Sequence, residues 1–405
     1  SLCTASEGIL KTHVTWEEFE ANLTKALDTT ARFGANKSAI DIGEGNGFAS
    51  RCALIECDWT GDGAEKLPKR VVLKALALVS LSERTPDDQK MFKDATPEIW
   101  EMVAQSMRTM HNMECDTYDF LSQLGEGNAF PIRYYAKNFD DENVLKGQIC
   151  MEYIENGRMM TLAEKAPLDL MKQIARALGK MQAESTKYEV VSDLLRTKDV
   201  FGEFVRNTPK EKYMTMYSPV KAIEPSLTEA VENVESLLEE YYGASVASTI
   251  HKQLGLTPVL VNGDMRTENV LIDKDSGELR ALIDWQCSHF GVGVEDLLRI
   301  SFFAQTTEDR RASSDDLVEE MYNAFVANLG DIPAPFTLKT LKEVYSLLFP
   351  HCALFFASGL PVLMPSSMPH PGDDSDEKKA RWDVVVDKAR GVLEDIVTYH
   401  EKNKS

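Results

Sequence analysis

The stretch that decides the fold is Val259-Leu-Val-Asn-Gly-Asp264-Met-Arg-Thr-Glu-Asn269-Val-Leu-Ile-Asp273, followed closely by Ala281-Leu-Ile-Asp284-Trp-Gln286. A short apolar strand leads into Asp264, and Asn269 stands at the start of a hairpin whose second strand ends at Asp284. The pattern therefore predicts that Asp264, Asn269 and Asp284 bring three oxygen-bearing side chains to one end of a small sheet.

The residue types in this stretch are those that phosphoryl transfer requires. Asp264 can orient an acceptor hydroxyl and take its proton as general base. The amide oxygen of Asn269 and the carboxylate of Asp284 are hard ligands, which Mg²⁺ prefers. A buried structural triad is the alternative, although buried carboxylates normally need partners or a metal.

The front of the chain carries a second group of candidate residues. Gly43, Gly45 and Gly47 stand before a predicted strand, which favours a hairpin that covers phosphates over the strand-to-helix turn of a dinucleotide fold; a plain turn is the alternative. Lys74 lies in the apolar strand Val71 to Leu76, either as a phosphate-binding residue or as a lysine on a sheet edge. Glu114 or Glu101, both in the helical region after Pro97, would pair with it.

The coarse pattern predicts an α+β, bilobal protein-kinase-like fold. Residues 1–153 are expected to form a nucleotide-binding lobe with a small antiparallel sheet and a helix. Residues 154–405 are expected to form a mainly helical lobe with the catalytic loop and the acceptor site. A helical insert around 187–254 could shape the acceptor pocket.

Composition restricts the partners. The chain has 405 residues, 43% of them hydrophobic, and a formal net charge of −21. Because nucleic acids and anionic membranes are bound chiefly through Lys and Arg, we expect neither as a partner. Seven cysteines without a paired zinc spacing indicate reduced thiols and a cytoplasmic location. The apolar stretch 345–364 contains two prolines and is predicted to be a buried helix, so we expect a soluble protein.

These motifs together resemble the aminoglycoside phosphotransferase and choline kinase superfamily. Three further segments are similar to its CHK-kinase-like branch, which includes ecdysteroid-kinase-like proteins, and the resemblance spans roughly residues 35 to 400. The segments are Ile42-Gly-Glu-Gly-Asn-Gly-Phe-Ala-Ser-Arg51, Leu67-Pro-Lys-Arg-Val-Val-Leu-Lys74 and His289-Phe-Gly291.

The resemblance implies roles for further residues. Glu114 matches the glutamate that pairs with the lysine, ahead of Glu101. Asp296 matches an acidic position that supports the catalytic loop. One departure is Asn262, which stands where this family usually has a histidine before Gly-Asp. The segment that matches the interlobe hinge, whose backbone receives adenine, comprises Met151, Glu152 and Ile154.

The sequence thus predicts an ATP- and Mg²⁺-dependent kinase that phosphorylates a hydroxyl of a small molecule. A catalytically weak or silent member of the same fold that binds a ligand is the alternative, because of Asn262. A protein kinase is disfavoured, since only about ten residues separate Asp284 from the helix at Val294 and leave little room for an activation loop.

Overall fold

The computed structural model describes residues 1–43, 50–79, 96–244, 246–368 and 375–405. The chain divides into two compact units. The first comprises Ser1–Gln123 and Phe130–Glu155, and the second comprises Leu124–Ala129 and Asn156–Ser405. The first unit contains a small antiparallel sheet with helices and the second is mainly helical, so the predicted α+β fold class is confirmed.

The first unit is built on a five-stranded antiparallel sheet with β5 at its centre. The strand order is β2-β3-β5-β7-β6, and β1 pairs separately with β4. The strands are β1 (Arg32–Phe33), β2 (Ser38–Asp41), β3 (Ser50–Glu56), β4 (Trp59–Thr60), β5 (Arg70–Leu76), β6 (Arg133–Lys137) and β7 (Gln148–Glu152).

The helices of the first unit begin at clear capping signals. The Glu18 N–H donates to Thr15 Oγ1 (3.3 Å) at the start of α1 (Trp16–Ala26). Apolar residues of α1, such as Phe19, are fully buried in one cluster with Val71 and Leu73 of β5. The second helix, α2 (Pro97–Leu121), runs without a break; the 3₁₀ turns are Ile9–Lys11 and Ala64–Lys66.

The second unit is mainly helical between Leu168 and Lys404. Its helices are α3 (Leu168–Ser185), α4 (Asp193–Thr197), α5 (Val200–Asn207), α6 (Lys210–Thr215), α7 (Pro219–Ile223), α8 (Thr228–Glu235), α9 (Leu238–Tyr241), α10 (Val246–Leu254), α11 (Val294–Ala304), α12 (Thr307–Asn328), α13 (Leu338–Leu363) and α14 (Asp376–Lys404), with 3₁₀ turns at Pro225–Leu227, Thr267–Asn269 and Pro365–Ser367.

Two small antiparallel sheets in the second unit include the strands on either side of Asp264. One pairs β9 with β12, and the other has the order β11-β10-β8. The turn before β11 contains Gly277 at a φ of 73°, as the predicted hairpin requires. The strands are β8 (Gly157–Met159), β9 (Val259–Val261), β10 (Val270–Asp273), β11 (Leu279–Leu282) and β12 (His289–Gly291).

Two helical segments differ from simple periodicity. The single helix expected near 225–242 is divided into α8 and α9. Ser236 lies at the break and donates its hydroxyl to the Asn233 carbonyl (2.6 Å), a local bond that competes with helix continuation. In contrast, α13 continues through Pro350 and Pro361.

Helix α13 is the one helix in the described ranges that is long and apolar enough to span a membrane. Its most apolar window has a mean hydropathy of 1.6, and 56% of that window is buried inside the protein. The helix packs against α11 and α14, with residues such as Leu348 and Phe349 fully buried. This packing agrees with the predicted buried helix.

Lys388 is a buried lysine that hydrogen-bonds to three backbone carbonyls of the second unit. Its side chain is 1% exposed, and Nζ donates to the carbonyls of Leu162 (2.8 Å), Glu164 (2.5 Å) and Phe303 (2.6 Å). Burial lowers the pKa of Lys388, but three carbonyl acceptors favour the ammonium form, which carries three donors.

We expect Lys388→Met to lower the free energy of unfolding by roughly 2 kcal/mol or more, because it leaves buried carbonyl oxygens without a donor. Lys379→Met, at an exposed position of the same helix, should change it by less than about 0.5 kcal/mol. Urea denaturation of both variants measures the difference, and equal midpoints would show that Lys388 has no such role.

Candidate active site

Lys74 lies in the centre of the first unit's sheet. It faces Cys52 of β3 on one side and Ile149 of β7 on the other, so the alternative of a lysine on a sheet edge is wrong. Its side chain is 10% exposed, and a buried ammonium in a central strand needs a charged partner.

That partner is Glu114 of α2. Lys74 Nζ lies 2.6 Å from Glu114 Oε2, and the glutamate side chain is 1% exposed. Glu101, the other candidate, is 69% exposed and pairs with Arg108 at 2.9 Å. The face of α2 that carries Glu114 therefore meets the sheet, which agrees with the order that the resemblance implied.

The predicted phosphate-covering hairpin is described only in part. Gly43 follows β2, and its N–H donates to Asp41 Oδ1 (3.0 Å). A Cβ at this position would lie 3.2 Å from the Cβ of Cys52, so the approach of the two strands favours glycine. Gly45 and Gly47 lie outside the described residues.

The predicted hinge residues lie at the end of β7 and just beyond it. Met151 is buried in β7 and accepts a long hydrogen bond from the Tyr118 hydroxyl (3.6 Å). Glu152 ends the strand, and its carboxylate accepts from the Ile132 N–H (3.1 Å). Ile154 is half-buried beyond the strand. Adenine recognition by this segment stays a prediction.

A buried carboxylate holds the loop before Asp264. Asp296, on α11 and fully buried, accepts the backbone N–H groups of Asn262 (2.8 Å) and Gly263 (2.9 Å). Burial raises the pKa of Asp296 to about 6, although these two bonds favour the carboxylate. Gly263 has a φ of 84°, and a Cβ there would lie 2.4 Å from the Cys287 carbonyl oxygen. The tight turn thus depends on glycine and on Asp296.

Asn262 connects this loop to the segment that carries Asp284. Its Oδ1 accepts from the Asp264 N–H (3.0 Å), and its Nδ2 donates to the carbonyls of Asp284 (3.1 Å) and Ile283 (3.4 Å). An amide has an oxygen that accepts and a nitrogen that donates, and both atoms are bonded here. Asn262 therefore braces the loop at the position where the resembled family usually has a histidine.

The surroundings of Asp264 raise the pKa of its carboxyl group. Its side chain is 22% exposed, and burial raises its pKa to about 6. The Asp284 carboxylate raises it further, whereas the guanidinium of Arg266, whose Nε lies 4.0 Å from Asp264 Oδ2, opposes the shift. A carboxylate of this kind is ionised at neutral pH and is more basic than an ordinary aspartate, as a general base should be.

Asn269 and Asp284 present oxygen atoms beside this carboxylate. Asn269 Nδ2 donates to the Asp264 carbonyl (2.7 Å), so Oδ1 is the atom that the amide offers to a cation. Asp284 adopts a φ of 60°, a left-handed conformation uncommon for aspartate and often found at functional sites.

This donor set fits Mg²⁺. Its oxygen atoms are hard ligands of the kind that Mg²⁺ prefers. Throughout the described part of the chain, no group of three or more His, Cys, Asp or Glu side chains is arranged to hold a metal. Mg²⁺ is commonly held by one or two side chains together with substrate phosphates, which agrees with a site of this size.

Sequence reasoning missed a buried charged cluster next to the loop. His289 Nε2 lies 3.0 Å from Glu295 Oε2, and Arg299 Nη2 lies 2.7 Å from Glu295 Oε1. Burial opposes ionisation of all three, but their attraction holds the pKa of Glu295 at about 2 and raises that of His289 to about 9. The spacing of Glu295 and Arg299 on one helix was the available signal.

We expect the contribution of His289 to the free energy of unfolding to fall as the pH rises. Its pKa is higher in the folded chain, so its contribution is complete below the unfolded value of about 6.5 and is lost as the pH rises through 9. The difference in unfolding free energy between the chain and His289→Gln should therefore narrow between these two pH values. Urea titrations across this range measure the difference, and a constant one would contradict the ion pair.

Comparisons with known proteins place the chain among kinase-like sequences. The family DUF1679, described as "Uncharacterized oxidoreductase dhs-27", matches residues 2–404. A Caenorhabditis elegans protein named "Uncharacterized kinase-like protein D1044.1" is 23% identical over 310 residues, which are 72% of this chain and 77% of that protein. The family match and this kinase-like relative confirm the predicted resemblance to a kinase-like branch.

Solved structures of small-molecule kinases are similar over most of the chain. The microcompartment-associated aminopropanol kinase is 15% identical, with a TM-score of 0.45 over 94% of this chain and 97% of its own. Choline kinase from Cryptosporidium parvum Iowa II is 11% identical, with a TM-score of 0.46 over 90% and 92%. Our assignment of the fold class rests on the chain's own strands and helices.

Proposed function

The chain belongs to the DUF1679 family, and from the geometry of its site residues we propose that it is an ATP- and Mg²⁺-dependent small-molecule kinase. The reaction would move the γ-phosphoryl group to a hydroxyl of a small-molecule acceptor. One observation carries the proposal. The side-chain amide of Asn262 hydrogen-bonds to the backbone of both Asp264 (3.0 Å) and Asp284 (3.1 Å).

In the proposed reaction Asp264 orients the acceptor hydroxyl and takes its proton. The hydroxyl oxygen forms the new bond to the γ-phosphorus as the bond to the β–γ bridging oxygen breaks. A pKa of about 6 keeps Asp264 ionised at neutral pH and able to receive this proton. The loop bonds from Asp296 fix the position from which it acts.

The remaining residues neutralise and position the phosphates. Asn269 and Asp284 would hold Mg²⁺, which supplies charge neutralisation on the phosphate oxygens when bound. Lys74, held by Glu114 at 2.6 Å, would bind the α- and β-phosphates. Gly43, Gly45 and Gly47 would cover the phosphates, and the backbone at Met151, Glu152 and Ile154 would receive adenine.

A catalytically silent ligand-binding protein is the second candidate function, because Asn262 departs from the resembled family. Its side chain makes three bonds that brace the loop, so the departure does not by itself remove the base or the metal ligands. This observation favours the active kinase.

The word "oxidoreductase" in the family's description finds little support in the fold. A dinucleotide-binding oxidoreductase places the pyrophosphate at a turn from a parallel strand into a helix. Every strand pair in the described ranges is antiparallel. Hydride transfer on a fold of that class is therefore not part of the proposal.

A cytoplasmic location remains a prediction. All seven cysteines are free thiols, and this state is typical of a reducing compartment. Neither a nucleic acid nor a membrane surface is part of the proposed reaction.

We expect Asp264→Asn to lower phosphoryl transfer by about 10²- to 10⁴-fold, because the amide cannot accept the proton. The measurement is transfer of ³²P from γ-labelled ATP to a panel of alcohols containing choline, aminopropanol, kanamycin and neutral ring alcohols. Asp331→Asn, at an exposed loop position, is the matched control and should keep full activity. Equal rates for the two variants would rule out Asp264 as the base.

We expect Asp284→Asn to lose the Mg²⁺-dependent part of nucleotide binding. Millimolar ATP with Mg²⁺ should raise the melting temperature of the unaltered chain more than ATP alone does, since a ligand of the folded state stabilises it. In Asp284→Asn the two shifts should be equal, whereas Asp264→Asn should retain the Mg²⁺ effect. If neither nucleotide condition stabilises the unaltered chain, the silent ligand-binding protein is favoured.

A further inference from the structure

Arg266 lies inside the loop that joins the proposed base, Asp264, to the proposed metal ligand Asn269, and no step of the proposed reaction uses it. Its backbone is extended (φ −138°, ψ 169°), and its carbonyl accepts the N–H of Asn269 (2.9 Å). The side-chain amide of Asn269 in turn donates to the Asp264 carbonyl (2.7 Å). These two bonds close the loop and fix the Arg266 backbone between the base and the metal ligand.

The guanidinium of Arg266 is largely buried, and one of its N–H groups has no acceptor. The side chain is 16% exposed. Among the residues that the structure describes, no atom accepts a hydrogen bond from the buried Nε. A guanidinium carries five N–H donors and stays charged, so its burial is unfavourable unless acceptors are supplied. This arrangement favours an acceptor that comes from a ligand.

Carboxylates attract this guanidinium without bonding to Nε. Arg266 Nε lies 3.8 Å from Glu268 Oε2 and 4.0 Å from Asp264 Oδ2, and both distances are too long for a hydrogen bond. Burial lowers the pKa of Arg266, but the charges of Asp264, Glu268 and Asp284 raise it by more. The charge of Arg266 therefore acts on both the proposed base and the proposed metal ligand Asp284.

An anionic oxygen is the ligand that this guanidinium suits. The planar fork of N–H groups matches the oxygens of a phosphate or a carboxylate, which a nucleotide or an anionic acceptor would supply. The geometry favours the nucleotide. A hydroxyl that gives its proton to Asp264 lies about 3 Å from that carboxylate, and the phosphorus it attacks lies about 3 to 3.5 Å beyond. Because Arg266 Nε is 4.0 Å from the same carboxylate, the γ oxygens lie within its reach.

We propose that Arg266 is a further catalytic residue, which binds the γ-phosphoryl group of the nucleotide. The inference rests on the proposed kinase function for the reaction, but the contact can be measured without phosphoryl transfer. The acceptor oxygen bonds to the γ-phosphorus and its proton passes to Asp264, while the bond to the β–γ bridging oxygen breaks and charge spreads over the three γ oxygens. A guanidinium that the loop already holds in place stabilises that charge without reorganisation.

The test is calorimetric titration of the full chain with ATP and with ADP, each with Mg²⁺. Arg266→Met removes the charge and the N–H donors and keeps an unbranched side chain. We expect it to weaken ATP binding at least about tenfold and ADP binding at most about twofold, because ADP has no γ-phosphoryl group. Equal losses for the two nucleotides, or an unchanged affinity for ATP, would overturn the proposal.

Arg176→Met is the matched control. Arg176 is an arginine of α3 that is 46% exposed and pairs with Glu320 (2.6 Å), so its variant should bind both nucleotides as the unaltered chain does. Melting temperatures show which variants fold. Arg266→Lys keeps the charge and serves as the second variant; it should weaken ATP binding at least about threefold more than ADP binding, because an ammonium lacks the planar fork.

A double variant separates direct binding from an effect through Asp264. If Arg266 only positions or neutralises that carboxylate, Arg266→Met should have no ATP-specific effect in the Asp264→Asn background. We expect the loss of ATP affinity, at least about tenfold, to persist there. Its disappearance would make Arg266 a positioning residue and overturn the proposed contact.

The kinase and the Arg266 contact fail in different ways. An ATP-specific loss of affinity in Arg266→Met, without ³²P transfer from ATP to any alcohol by the unaltered chain, would support the contact and reject the kinase. Transfer by the unaltered chain, with equal losses of ATP and ADP affinity in Arg266→Met, would support the kinase and reject the contact. A chain that binds neither nucleotide would overturn both.

Discussion

The candidate site depends on one buried carboxylate that holds a glycine turn. Asp296 accepts two consecutive backbone N–H groups, from Asn262 and Gly263, at 2.8 and 2.9 Å. Because these groups lie at the end of a short strand and turn away from it, no ladder partner would otherwise satisfy them. Fixing the turn sets the direction of Asp264 and brings the Asn262 amide to the backbone of Asp284. One interaction thus orders two segments that are twenty residues apart.

Both units bury charged side chains, which is unfavourable by itself, and close ion pairs offset the loss of water. Lys74 with Glu114 in the first unit, and Glu295 with His289 and Arg299 in the second, are each held at 3.0 Å or less. Removing one partner of such a pair leaves an uncompensated charge in a poorly solvated place. In each unit the close ion pair compensates for the loss of water around the buried charges.

The sequence by itself determined the α+β class and the order of the strands around Asp264 and Asp284. These features follow from local periodicity, capping residues and turn residues, each of which acts over a few positions. The family resemblance put Glu114 ahead of Glu101 as the partner of Lys74. Only the tertiary structure showed this ion pair, the central position of Lys74 in the sheet and the bonds by which Asn262 braces the loop. The spacing of Glu295 and Arg299 indicated one ion pair, but only the structure showed that His289 joins it. The physical reason is that these contacts depend on which faces of helices and strands meet, and packing of distant segments fixes that choice.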